Sequence, residues 1–361
     1  MSIRSLAAIA SLLAASTVAG QEAVRADVTQ EMVDAASALL ATVSNGPGGT
    51  ELLLGFDKGK NLAHELDSSA RQDWTYWPTE RAGVPLDLMT GEQRVLTHRL
   101  LNAVLSSNGY FKVAHIMQLE QILGMLDSAG LPRGVGHYKV VLFGKPALDA
   151  PWAWRFEGHH VSLNVTVTPR GISTTPTFFG ANPAEVRSGP LTGFRVLGAP
   201  EDLARELVTS LDGQQRTRAV LSDQAPSDIF TANIRIRAER ARWDAWKQTL
   251  EPQGVRVTDL NEVQQHWVRR ILVEVVGSYR EELSAEYLRA IDPKTLSFAW
   301  AGSIERGKPH YFRLQNGDFV FEYDNVQDNG NHVHSVWRNK AEDFGAELLP
   351  EHYRTSHLRA D

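Results

Sequence analysis

Apolar residues recur at helical spacing over residues 28–43, and the run stops at Asn45-Gly46-Pro47-Gly48-Gly49. A second helical pattern covers 90–107, with Val95, Leu96, Leu100 and Val104 on its inward face and Gly109 as its terminator. A third covers 113–129 and stops at Gly130-Leu131-Pro132. The period then becomes alternating. Strands are expected at 138–144, 152–157, 161–168 and 171–179, with Val161, Leu163, Val165 and Val167 sharing one face. Helices return at 201–221, 231–250 and 260–283. Four more strands close the chain at 296–304, 310–315, 319–324 and 332–338, and Asn316-Gly317 marks a hairpin between two of them.

The order of these elements repeats. Asp87-Leu88 precedes Gln93, Leu96, Leu100, Leu101 and Val104, while Asp259-Leu260 precedes Gln265, Val268, Leu272, Val273 and Val276 at the same offsets. Each half later carries an aromatic-rich strand ending in arginine, Trp152-Ala153-Trp154-Arg155 and His310-Tyr311-Phe312-Arg313. The expected class is α+β. Two tandem duplicated helix-plus-antiparallel-sheet halves, 21–198 and 199–361, would pack as one pseudo-twofold unit, with their boundary near Gly198-Ala199-Pro200.

Composition narrows the setting. The chain has 361 residues, 42% hydrophobic and 22% charged, and 37 basic against 43 acidic residues leave a net charge of −6. That balance offers no basic footprint for nucleic acid. Arg4, the apolar run 6–15 and Val18-Ala19-Gly20 have the layout of a secretory signal peptide over residues 1–20, so the protein is expected to be exported, periplasmic or extracellular. No later run has the roughly 18 apolar residues of a membrane span. The absence of cysteine excludes disulfides, thiolate ligands and a cysteine nucleophile, so any metal site must use His, Asp, Glu and oxygen donors.

Histidines carry the sharpest chemistry. In Asn331-His332-Val333-His334-Ser335-Val336-Trp337-Arg338, His332 and His334 stand at i, i+2 of a strand, so both imidazoles point to one face and can converge on one ion. The second cluster is Glu157-Gly158-His159-His160. On regular alternation His159 and His160 face opposite ways, a polar site favouring His160 and a buried one His159, so both stay candidates as ligands. Glu157 is a candidate ligand or base acting on water at the ion. His310, on an apolar strand face with Phe312 and Leu314, is a further candidate ligand, although such a histidine is more often a core residue. The two clusters fall at non-equivalent places in the proposed repeat, as expected for one asymmetric site on a pseudo-symmetric scaffold. There is no G-x-S-x-G elbow, phosphate-binding Gly-rich loop or H-E-x-x-H helix.

Several long stretches look specific to one family. Trp152-Ala153-Trp154-Arg155-Phe156-Glu157-Gly158-His159-His160-Val161-Ser162-Leu163-Asn164 and Pro176-Thr177-Phe178-Phe179-Gly180-Ala181-Asn182-Pro183-Ala184 are two. Glu322-Tyr323-Asp324-Asn325, 331–338, Asp343-Phe344-Gly345 and His352-Tyr353 complete them. Over essentially the whole mature chain these resemble the bacterial and fungal domain of unknown function numbered thirty-five hundred, departing from its pattern at Val333 and Asn339. The resemblance implies that the histidine motifs characterise the group, without implying an activity. The leading expectation is a metal-dependent hydrolase using a zinc, copper or iron ion on a small-molecule substrate. Alternatives are a copper or iron oxidoreductase, a metal-handling protein, or a non-catalytic binder with a pocket of histidines, Trp152, Trp154 and Trp337. If the leader reading holds, intact mass of the exported protein will place its first residue near Gln21; an N-terminus at Met1 would contradict it.

Overall fold

The computed structural model of the protein describes residues 27–42, 61–126, 133–232 and 251–349. Helices α1 (27–42), α2 (Gly91–Val104) and α3 (Ser107–Leu126) precede the first strand-rich stretch. Helices α4 (Gly198–Ser210), α5 (Gly213–Ala219), α6 (Glu262–Val276) and α7 (Glu281–Ala290) precede the second. Three of them start with the same device. Thr90 with Gln93, Asp212 with Gln215, and Asn261 with Gln264 form reciprocal capping boxes that satisfy two otherwise orphaned donors each.

The strands are β1 (Ala63–His64), β2 (Val84–Pro85), β3 (Lys139–Phe143), β4 (Trp152–Gly158), β5 (Val161–Thr168), β6 (Gly171–Ser173) and β7 (Thr177–Ala181). The later ones are β8 (Val220–Ser222), β9 (Val255–Arg256), β10 (Ser297–Gly302), β11 (His310–Gln315), β12 (Phe319–Val326) and β13 (His332–Asn339). All belong to one 13-stranded mixed sheet, ordered β1-β3-β4-β5-β7-β13-β12-β11-β10-β8, with β2 on β3, β6 on β5 and β9 on β10. The middle of the order is the antiparallel pair β7–β13. On either side the ladders match: Lys139 opposes Glu157 and Arg155 opposes Asn164 on one side, Ser297 opposes Gln315 and Arg313 opposes Glu322 on the other.

Directly opposed residues share a sheet face, which gives this sheet two different sides. Trp152, Trp154, Phe156, Val161, Leu163, Phe312, Leu314, Tyr323 and Trp337 belong to the main core, together with Leu100, Leu101, Leu207, Val268, Ile271 and Leu272 from the helices. The other side carries Arg155, Glu157, Ser162, Asn164, Tyr311, Arg313, Glu322, Asp324, His334 and Arg338, every one of them buried. Burying so many polar groups is tolerable only if they are paired. Two loops provide much of that pairing. Glu157 forms a 3.0 Å ion pair with Arg155 and accepts a hydrogen bond from the Thr75 amide at 3.1 Å. Glu322 accepts from the Phe230 and Thr231 amides at 2.8 and 2.9 Å and from the Tyr311 hydroxyl at 2.7 Å. Arg338 donates to Asp343 at 2.8 Å and to the Thr231 carbonyl at 2.7 Å.

Several expectations change. Val95 is 68% exposed, because α2 buries the stripe Thr97, Leu100, Leu101 and Val104 instead. Gly109 does not end α2. It lies inside α3, where an added Cβ would come 1.8 Å from the Ser278 carbonyl oxygen, so it permits the close approach of the α6–α7 turn. The strand expected at 171–179 is two strands, β6 and β7, interrupted at Thr174-Thr175-Pro176. The helices expected at 201–221 and 260–283 are each broken, by the Asp212 cap and at Gly277. The expected stop at 130–132 and most of the helix at 231–250 lie outside the described residues. No helix among the described residues is long and apolar enough to cross a membrane. Because Glu322 holds the loop through 228–232 by buried charged hydrogen bonds, Glu322→Gln should lower stability by about 1–3 kcal/mol in denaturant unfolding; an unchanged midpoint would remove that role.

Candidate metal centre

Three elements bring three imidazoles together on the polar side of the sheet. β13 supplies His332 and His334, which point the same way because they are two residues apart in a strand. The two-residue turn between β4 and β5 supplies His160. One ligand atom from each of His160, His332 and His334 lies within 4.8 Å of the others. His160 Nε2 and His332 Nε2 are 2.8 Å apart.

The sequence offered alternation as the guide to His159 and His160, and that guide does not apply. Both are turn residues, and His160 has a left-handed backbone with φ of 66°, a conformation that a non-glycine residue adopts at a cost. The turn stacks the two rings 3.7 Å apart and sends both to the same side. Two neighbours hold the strained residue. The His160 amide donates to the Tyr76 carbonyl at 3.3 Å, and the Gly180 amide donates to the His160 carbonyl at 2.8 Å. Gly180 also makes room, since a Cβ there would sit 2.7 Å from His160 Cδ2.

Each β13 histidine is oriented through Nδ1. His334 Nδ1 is 2.8 Å from Asp228 Oδ1, and Asp228 Oδ2 accepts from the Tyr76 hydroxyl at 3.2 Å. His332 Nδ1 is 3.2 Å from Asp328 Oδ2, which also accepts from Asn182 Nδ2 at 2.9 Å. Assigning the Nδ1 protons toward these carboxylates leaves Nε2 of both rings as a lone pair. Burial pushes the His160 imidazole well below its usual range, and neighbouring histidines push the same way. The same causes take His332 down to about 3. Near pH 7 both rings are therefore neutral, the form that ligates a metal.

A cavity of 310 Å³ opens onto these groups, lined by Tyr76, Trp77, Pro78, Arg133, His159 and Asn182 among others. Trp77 at its rim is 61% exposed. His159 touches this cavity but belongs to a different contact set. Its Nδ1 meets the Glu120 carboxylate, and Arg133 Nη1 approaches both ring nitrogens, at 2.7 Å from Nδ1 and 3.4 Å from Nε2. Nδ1 cannot donate to Glu120 and accept from Arg133 at once, so only one of the two contacts at this nitrogen is a hydrogen bond of a neutral ring. Glu120, His159 and His160 are also close enough to share an ion, but the Arg133 cation beside them opposes a second positive charge.

Two candidate residues lie elsewhere. Glu157, expected as an acid or base, is engaged by Arg155 and Thr75 and is not among the residues lining the cavity. His310, expected as a ligand, pairs across the ladder with Asn325 and lies on the opposite, apolar side of the sheet. There it stacks on Trp300 at 5.1 Å and lies 3.7 Å from Glu201. Trp152, Trp154 and Trp337, expected to line a pocket, are core residues on that same side. Asp228 and Asp324, which the sequence reading did not select as site residues, lie against His334, with one ligand atom from each of the three within 4.8 Å of the others. Asp324 stands directly across the ladder from His334. In the sequence Asp324 stands with Glu322 as an acid of the β11–β12 hairpin, within Glu322-Tyr323-Asp324-Asn325.

A model of the family described as "Protein of unknown function (DUF3500)" matches residues 25–346. No curated protein and no solved structure matches the chain. Gly180→Ala replaces no ligand, yet it should displace the His160 ring and weaken zinc binding at least 10-fold, a factor that corresponds to about 1.4 kcal/mol, as read by calorimetric titration. Unchanged affinity would show that His160 is not held where the geometry puts it.

Proposed function

The chain belongs to the DUF3500 family, which brings no assigned activity with it, and from the site itself we propose an exported metal-dependent hydrolase acting on a small molecule. The observation that carries this reading is the 2.8 Å separation of His160 Nε2 and His332 Nε2. His332 Nε2 carries a lone pair, so at that distance the two nitrogens share either a proton from His160 Nε2 or a cation. Ligands of a tetrahedral ion at about 2.0 Å stand about 3.3 Å apart, so a small opening of this pair accommodates one. A histidine-only donor set with no cysteine suits zinc, copper or iron(II).

A bound zinc-like ion would supply Lewis acidity and lower the pKa of water toward 7. The chain's own groups supply the rest. Asp228 fixes the tautomer and ring orientation of His334, and Asp328 with Asn182 does so for His332. Tyr76 and Trp77 form an aromatic wall for the organic part of a substrate. Arg133 offers a positive charge at the same cavity for an anionic group. Glu157 takes no part in these steps and secures the loop that carries Tyr76.

We further propose that the scaffold arose by tandem duplication, with residues 21–198 and 199–361 as the two copies after a signal peptide over 1–20. The support is the matched pairing of β3–β4–β5 and β10–β11–β12 about the central pair β7–β13. On that reading the metal centre is asymmetric. It takes His160 from a turn of the first copy and His332 and His334 from the last strand of the second.

Protein purified from its native compartment should contain bound metal and hydrolyse some members of an ester, amide and phosphoester panel. A chelator should abolish that turnover, zinc should restore it, and His332→Ala should lose both ion and activity. Full turnover in chelator, with His332→Ala unaffected, would refute the hydrolase reading. Copper in place of zinc, with turnover only of redox substrates, would replace it with the oxidoreductase.

A further inference from the structure

Next to the three-histidine centre the polar side of the sheet holds a carboxylate that nothing in the proposed function uses. Asp324 is fully buried, with 0% of its surface exposed, and no side chain donates to either of its oxygens, the Val326 amide being the backbone donor near them. It shares a face with His334, directly across the ladder, and with Glu322 two residues away on its own strand. Glu322 has its donors from Phe230, Thr231 and Tyr311, so it has no proton to offer and adds a second negative group nearby. The other neighbour is Asp228, which is also a carboxylate. Its Oδ1 accepts from the Ile229 amide at 2.8 Å and faces His334 Nδ1.

A buried carboxyl group beside two carboxylates, with no side-chain donor on either oxygen, has the surroundings of a cation ligand. One ligand atom from each of Asp228, Asp324 and His334 lies within 4.8 Å of the others. Ligand atoms on opposite sides of an ion at about 2.0–2.2 Å stand at most about 4.4 Å apart, so a shift of a few tenths of an ångström closes the set. We propose that Asp324, Asp228 and Nδ1 of His334 form a second divalent-cation site, adjoining the first through the His334 ring. It rests on the three-histidine reading only in making His334 common to both ions.

The donor chemistry separates the two positions. Three imidazoles favour zinc or copper, whereas two carboxylates and one imidazole favour a harder ion such as manganese(II), iron(II) or zinc. Coordination at Nδ1 replaces the proton that His334 shares with Asp228. When both ions are bound, that proton and the one burial keeps on Asp324 both leave to solvent, and the ring bridges the ions as imidazolate. Asp324 would then be a metal ligand, with the Tyr76 hydroxyl at its neighbour Asp228.

The test is metal stoichiometry of the full chain, stripped with chelator, reloaded with zinc(II) and washed, then measured by elemental analysis. The wild-type protein should hold two equivalents. Asp324→Asn, a neutral isostere, should hold one, and so should His332→Ala, each having lost a different ion. Asp228→Asn, at a partly exposed residue, should repeat the loss if the Asp324 variant does not fold, folding being checked by circular dichroism. One wild-type equivalent, lost in His332→Ala and kept in Asp324→Asn, would overturn the second site and leave the first. One equivalent lost in Asp324→Asn and kept in His332→Ala would do the reverse. No bound zinc would overturn both.

Discussion

A sheet with a buried polar side must find a partner for nearly every group on that side, and this constraint organises the molecule. Most of the pairing is internal. Glu157 and Glu322 hold backbone amides of the two covering loops, and Arg155 and Arg338 donate to carbonyls and carboxylates across the same surface. Beside the cavity the pairing is sparser. His160 Nε2 and His332 Nε2 face each other at 2.8 Å, and no side chain donates to Asp324.

The centre depends on three local departures from regular structure. The β4–β5 turn forces His160 into a left-handed backbone, Gly180 gives its ring space, and the turn after β12 places Asp328 against His332. Asp328 and Asn329 are themselves left-handed, with φ of 51° and 55°. Such conformations persist when the surroundings over-determine them, and they concentrate at functional sites. The covering loop contributes Tyr76, whose ring stacks on Phe178 at 4.1 Å and lies 4.9 Å from His334.

The strands were legible because their alternation is strong. The span 161–168 reads from Val161, Leu163, Val165 and Val167, and the i, i+2 spacing already put His332 and His334 on one face. What alternation could not tell was which face met the helices. His310 shares its side with Phe312 and Leu314, and that side proved to be the apolar core, so the histidine is far from β13's imidazoles in chemistry if not in sequence pattern. Trp152, Trp154 and Trp337 lie on that same apolar side, away from the histidine cavity. Regular alternation sends His159 and His160 to opposite faces, but the turn falls on the histidines themselves and sends both rings one way. Asp228 was beyond reach, since it lies on a loop with no periodicity and meets His334 only through the fold.

The account stands or falls on an ion between His160, His332 and His334. Crystals grown with zinc and measured above and below the zinc absorption edge would locate it directly. The prediction is an anomalous peak about 2.0–2.1 Å from Nε2 of all three rings. Ordered side chains with no anomalous density at these nitrogens, or a peak held by Glu120 and His159 alone, would contradict it.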